Sequence, residues 1–213
     1  MTVLKTRLFW AVIMVIPLQL LAQDPYPVDL RIGVQTASTK RNTSLSDAVT
    51  ARMSATVTGF EATLSGDDGA VGIGGRLLRG SYENGDYSLK EVRGFIGGSW
   101  FQIQGAYGQR SLFGTDSMFT FAKPGARLVI PIGGSGVSLT MSGAKYFPAD
   151  FGGKKTELTK TDGWEGETGL FYLFPVVPLY AQFGYRNEYF RQGTREENLS
   201  GLVLGIGLWV GGS

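Results

Sequence analysis

The 213-residue chain has no cysteine and no histidine. Without cysteine there are no disulfides, no thiol nucleophile and no lipid-bearing N-terminal cysteine. Without histidine, most hydrolase, zinc and proton-shuttle chemistry is excluded. Charge is sparse at 18% of residues. No apolar run is long enough for a helix to cross a bilayer, which takes about 20 residues. Glycine, by contrast, is abundant, with 32 residues, roughly twice its usual share.

The first residues have the parts of a secretory signal: Lys5 and Arg7, an apolar run from Leu8 to Leu21, and Ala22 at the end. Cleavage after Ala22 is expected, which divides the chain into a signal peptide, 1–22, and one domain, 23–213. The charge reading changes with it. The full chain has 20 basic and 18 acidic residues, and losing Lys5 and Arg7 leaves 18 of each. A neutral mature chain gives no support for nucleic-acid binding.

Beyond residue 23 the apolar residues recur with a period of two, the repeat of a strand rather than a helix. Val28, Leu30, Ile32 and Val34 alternate with Asp29, Arg31, Gly33 and Gln35. Leu202, Leu204, Ile206 and Leu208 alternate with Val203, Gly205 and Gly207. Ten such segments are expected: 28–37, 53–64, 70–81, 87–97, 100–110, 119–130, 137–147, 164–174, 179–190 and 199–210. Each has about the length of a tilted membrane-crossing strand. An eight-stranded version would set 53–64 and 70–81 aside as an outer hairpin. Tight turns, such as Gly98-Ser99 and Pro175-Val176-Val177-Pro178, alternate with longer polar connections at 38–52, 111–118, 148–163 and 191–198. An even strand number, with short turns at one end and longer loops at the other, is the plan of a closed outer-membrane barrel. Only a closed sheet leaves no unpaired edge in lipid. A soluble barrel with an apolar interior would show the same period.

Aromatics cluster near strand ends, as interfacial girdles do. Trp100, Phe101, Phe171, Tyr172, Phe174, Tyr180 and Trp209 lie by the short turns. Tyr82, Tyr87, Phe119, Phe121, Tyr146, Phe147, Trp164, Tyr189 and Phe190 lie toward the loops. On this plan residues 23–213 resemble the small outer-membrane β-barrel proteins of Gram-negative bacteria. The resemblance implies a bacterial outer-membrane location and contact with its lipid. The chain departs from that class in following Trp209 with Val210-Gly211-Gly212-Ser213 rather than ending on an aromatic.

The face opposite the apolar one carries Asp29, Arg31, Glu61, Arg76, Glu91, Arg93, Arg110, Lys123, Arg127, Glu165, Glu167, Arg186 and Glu188. Small barrels are filled by side chains, and enclosed charges need partners or water. A lumen charge network is therefore expected, with Arg31, Glu61, Arg76, Glu91, Arg93, Arg127, Glu165, Glu167 and Arg186 as its members. The balance of signs leaves a narrow, weakly selective pore as the alternative. Glu165 and Glu167 share a strand face, a spacing compatible with glycoside hydrolysis or a hard cation. A structural pair held by Arg186 is the simpler account.

Gly72, Gly74 and Gly75 precede an extended segment, not the helix that a phosphate loop requires. Asp67-Asp68-Gly69 lacks the regular ligand spacing of a calcium loop and reads as a turn. Enzymes of the resembled class rely on histidine, so none of their activities transfers to a residue here. No cofactor or metal is expected. The functional expectation is a non-enzymatic barrel, structural or surface-interacting, with 38–52 and 148–163 as outer loops available to an extracellular ligand.

Overall fold

A computed structural model describes residues 29–45, 48–66, 70–83, 85–113, 118–134, 136–149 and 161–210. They form ten strands: β1 (Asp29–Leu45), β2 (Ala48–Gly66), β3 (Val71–Tyr82), β4 (Gly85–Gly97), β5 (Phe101–Ser111), β6 (Met118–Pro131), β7 (Val137–Pro148), β8 (Thr161–Leu173), β9 (Leu179–Gln192) and β10 (Arg195–Val210). Each strand pairs antiparallel with its neighbours in sequence, and β1 pairs with β10 to close the barrel. The eight-stranded alternative is excluded, because β2 and β3 are wall strands paired on both sides. The signal segment 1–22 lies outside the described residues.

The barrel is apolar outside and polar inside. Ile32, Ile103, Phe183 and Ile206 point outward and are half exposed or more, while Arg110 and Glu91 are buried. Leu202, Leu204, Ile206 and Leu208 all face out, and Val203 between them is buried. A soluble barrel would reverse this, so the chain is a membrane-spanning barrel. The outward apolar belt needs no cover other than lipid, and the closed barrel leaves no edge strand in lipid.

Glycine shapes the wall where a large side chain must lie flat against it. Gly33 and Gly207 face each other across the β1–β10 ladder. A Cβ on Gly207 would come within 2.6 Å of both the Gly33 Cα and the Tyr180 ring. The two glycines therefore make room for Tyr180, which stacks on Phe171 inside the barrel with centroids 5.2 Å apart.

The expected outer loop 38–52 is instead strand. β1 runs on to Leu45 and pairs with β2 as far as Leu45↔Ala48, through a bulge at Thr43/Ser44. The expected loop 191–198 likewise belongs to a hairpin, with β9 reaching Gln192 and β10 starting at Arg195. Beyond the bilayer neither face of a strand has to be apolar, so the alternation that marks a strand fades while the backbone ladder continues. Ser38, Lys40 and Asn42 face out there, and Thr39 and Arg41 face in. Among the described residues the β2–β3 ladder stops at Thr58↔Arg79. The upper parts of β2, β1, β10 and β9 thus form a ribbon rising past the top of the β2–β3 ladder, with β8 paired to the end of β9 at Thr161↔Gln192. Most of the other expected loop, 148–163, lies outside the described residues; Pro148 closes β7 and Thr161 opens β8.

Candidate functional site: the filled lumen

Alternation sends every second side chain of all ten strands into one narrow space. Those side chains form three layers, read from the loop end to the turn end.

The uppermost layer is a cap of aromatic and aliphatic groups. Tyr82, Tyr87, Leu89, Leu112, Phe119, Phe121, Tyr146 and Phe190 are all buried. Phe121 meets Tyr146 edge-on at 4.8 Å, and Tyr146 meets Phe190 at 4.6 Å. Six of the nine loop-side aromatics expected in a lipid girdle are therefore inside the barrel. Phe147 and Trp164 face out, and Trp164 stacks on Tyr189. Parity accounts for the division: Phe119 and Phe121 are in phase with Lys123, and Phe190 is in phase with Glu188 and Arg186. Phe171 and Tyr180 leave the turn-side girdle in the same way.

Threaded through this cap is a closed set of four charges. Glu197 takes Arg41 Nε at 2.9 Å, Arg110 Nη2 at 2.7 Å and the Phe113 backbone N–H at 2.7 Å. Arg110 also reaches Glu188 at 2.7 Å, and its guanidinium lies 4.0 Å from the centre of the Phe190 ring. Phe113 has a positive φ of 54°, a costly conformation for a bulky residue. It aims that N–H at Glu197 and carries the start of the β5–β6 connection inward, where Leu112 is fully buried. Arg41 and Glu197 lie beyond the expected strands 28–37 and 199–210, so the sequence reading leaves both outside the lumen. Continuing the two-residue count past those ends would have placed both inside.

The middle layer has three cations and three carboxylates. Arg76 lies 3.0 Å from Glu91, 3.2 Å from Glu165 and 3.5 Å from Glu167. Lys123 bridges Glu91 at 2.7 Å and Glu165 at 2.8 Å. Arg186 holds Glu167 at 2.7 Å and donates to the Gln35 side-chain oxygen at 3.1 Å. The Tyr146 hydroxyl closes the set from above, donating to Glu165 at 2.6 Å. Glu165 and Glu167 are thus shared among three cations, and Glu165 is held by Lys123 and Arg76 rather than by Arg186. A cavity of only about 60 Å³ remains beside this layer.

The layer at the turn end is looser. Glu61 pairs with Arg93 at 3.1 Å and accepts from Gln35 at 3.4 Å. Arg31 approaches Asp29 only to 3.6 Å and lies 4.9 Å from the centre of the Phe171 ring. Arg127 lines the same space and makes no ion pair among the described residues. The cavity here is about 160 Å³, and these side chains are 19–25% exposed against 0–3% for the pairs around Arg110.

Chemically, the arrangement is suited to filling space rather than to turnover. Every carboxylate of the upper and middle layers is engaged by at least one cation, so none stands ready as a base. Among the described residues no group of acidic side chains could hold a metal ion.

No protein-family model matches the chain, and no curated protein matches it in sequence. Among solved structures the chain is similar to Neisserial surface protein A, at 15% identity and TM-score 0.37, over 83% of this chain and 96% of that one. It is similar to the NanC porin, at 14% identity and TM-score 0.38, over 85% and 98%. It is also similar to the translocator domain of the autotransporter NalP from Neisseria meningitidis, at 10% identity and TM-score 0.40, over 96% and 97%. The assignment as a membrane barrel stands on this chain's own closed ladder and outward apolar face.

Proposed function

We propose that the chain is a non-enzymatic β-barrel of the bacterial outer membrane, closed to solutes and serving as a rigid base for structure presented at its loop end. The observation that carries this reading is the double closure of the lumen. A neutral six-charge layer and an aromatic cap lie in series above the 160 Å³ vestibule at the turn end. The outward apolar belt supports the bilayer setting, and closed barrels with short turns at one end belong to outer membranes. The absence of histidine and cysteine supports a non-enzymatic role.

What the base presents is the ribbon of β2, β1, β10 and β9. In this reading the ribbon takes the place of a flexible 38–52 loop as the contact surface for an extracellular ligand. A ribbon whose strands are joined to one another by backbone ladders loses little entropy on contact, which favours recognition by shape.

Planar-bilayer recording of the purified protein tests the closure. No stepwise conductance is expected. Reproducible unitary steps would replace this reading with the narrow pore, and the substitution Arg76→Ala should then alter their size.

A further inference from the structure

On the lipid side of the wall, β10, β1, β2, β3 and β4 together form a groove of about 720 Å³, the size of an ordinary small-molecule site. Its floor follows the register. Ile206 is opposite Val34, Val34 is opposite Phe60, and Phe60 is opposite Leu77. At its far end the outward face changes character. Arg79 pairs with Ser88 and Lys90 pairs with Leu77 across the β3–β4 ladder. The two cations are therefore diagonal neighbours, about 7–8 Å apart along the backbone. Both face outward and are exposed, and neither makes an ion pair among the described residues. Asp86, the acid next above them on β4, pairs with neither.

Two unpaired cations side by side at the margin of an apolar belt repel each other, and lipid tails offer them no counter-charge. An anion with acceptor oxygens reaching both would relieve this through charge-assisted hydrogen bonds. The groove leading away from them is apolar and has no acidic side chain in its lining. Tilt carries it from Ile206, near the turn-end terminus of β10, to Lys90 in the loop-side half of β4. Charge at the interface and a cleft running into the hydrocarbon is the shape of one amphiphile. We infer that this face is a specific site for a phosphate-bearing lipid, its phosphate bridged by Arg79 and Lys90 and one acyl chain lying over Phe60, Val34 and Ile206. The inference rests on the reading of the chain as a bilayer-embedded barrel, and it adds a selective contact to general lipid solvation.

Native mass spectrometry of the full chain in mild detergent tests it, with dipalmitoyl phosphatidylglycerol, dipalmitoyl phosphatidylcholine and inorganic phosphate as probes. Phosphatidylglycerol should be retained in preference to phosphatidylcholine. The double variant Arg79→Gln/Lys90→Gln should lower its retained fraction by about tenfold or more, the effect of losing two charge-assisted contacts. Val34→Trp, which fills the cleft while keeping the face apolar, should lower it too. Lys145→Gln, at an outward lysine paired with Asp162, should leave it unchanged. Equal retention of the two lipids, or undiminished retention by the double variant, overturns the site. Displacement of the lipid by millimolar inorganic phosphate would assign the cations to a free anion and overturn the acyl contact. Liposome insertion is measured in parallel. A wild type that fails to insert removes the bilayer reading itself, whereas insertion without lipid preference removes the site alone.

Discussion

The two ends of the lumen use the same residue types on the same ten strands and arrive at different states. At the loop end, Arg41, Arg110, Glu188 and Glu197 are 0–3% exposed and form a neutral set. At the turn end, Arg31, Arg93 and Arg127 line a 160 Å³ space with Glu61, with looser contacts and one arginine that makes no ion pair among the described residues. What differs is cover. Aromatic rings and the inward Leu112 lie over the first set, while glutamine, serine and threonine border the second alongside Phe95, Phe171 and Tyr180. A charge under a hydrophobic lid must have its partner, whereas a charge beside water can do without one.

The difference is open to measurement by unfolding in urea with the barrel reconstituted in one lipid. The largest effect is expected from Glu197→Ala, which strands Arg41 in the cap and leaves Arg110 with Glu188 alone. Breaking a buried pair from one side costs about 3–5 kcal/mol. A loss below about 1 kcal/mol would mean that the cap is as wet as the vestibule, and the contrast would collapse. Leu204→Arg comes next. It places a charge on the outward face, where no partner exists, and should cost roughly 2–4 kcal/mol near the bilayer midplane. Normal folding of this variant would invert the assignment of faces.

Tyr146→Phe removes a single hydroxyl where cap and middle layer meet. Its hydrogen bond to a carboxylate should be worth about 1.5–3 kcal/mol. The smallest effect belongs to Arg127→Gln, in the vestibule, which should change stability by less than about 1 kcal/mol. If it costs as much as Glu197→Ala, the vestibule is as closed as the cap and the two ends are alike.

Much of the wall was legible in the chain. Parity assigned Leu204 to lipid and Arg76, Glu91 and Lys123 to the interior, and turn residues separated the segments. Parity was also the signal that the girdle reading set aside. Tyr82, Tyr87, Phe119, Phe121, Tyr146 and Phe190 are near strand ends, which suggests an interface, but each is in phase with inward residues. The upper parts of β1, β2 and β10 escaped for another reason. Once a strand leaves the hydrocarbon, its apolar alternation has no physical cause, and only backbone pairing maintains it.

The sequence by itself determined the two faces of each strand, because alternation leaves each residue one choice of two; within a bilayer the apolar one must be outward, since hydrocarbon accepts only an apolar face. It also marked out ten segments, since each crossing needs its own apolar stretch and each reversal its own turn, but the pairing of β2 and β3 into the wall decided ten against eight. The tertiary structure alone decided who meets whom across the lumen. Glu197 finds Arg41 and Arg110 at sequence separations of 156 and 87, and Glu165 finds Arg76 at 89. Closure makes Arg41 and Glu197 diagonal neighbours on the β1–β10 ladder, while diameter brings Arg110 to Glu197 and Arg76 to Glu165 from opposite walls. Local pattern carries no trace of that distance. It is why inward-facing charge could be read from the chain, while the division of the lumen into a sealed cap and an open vestibule could not.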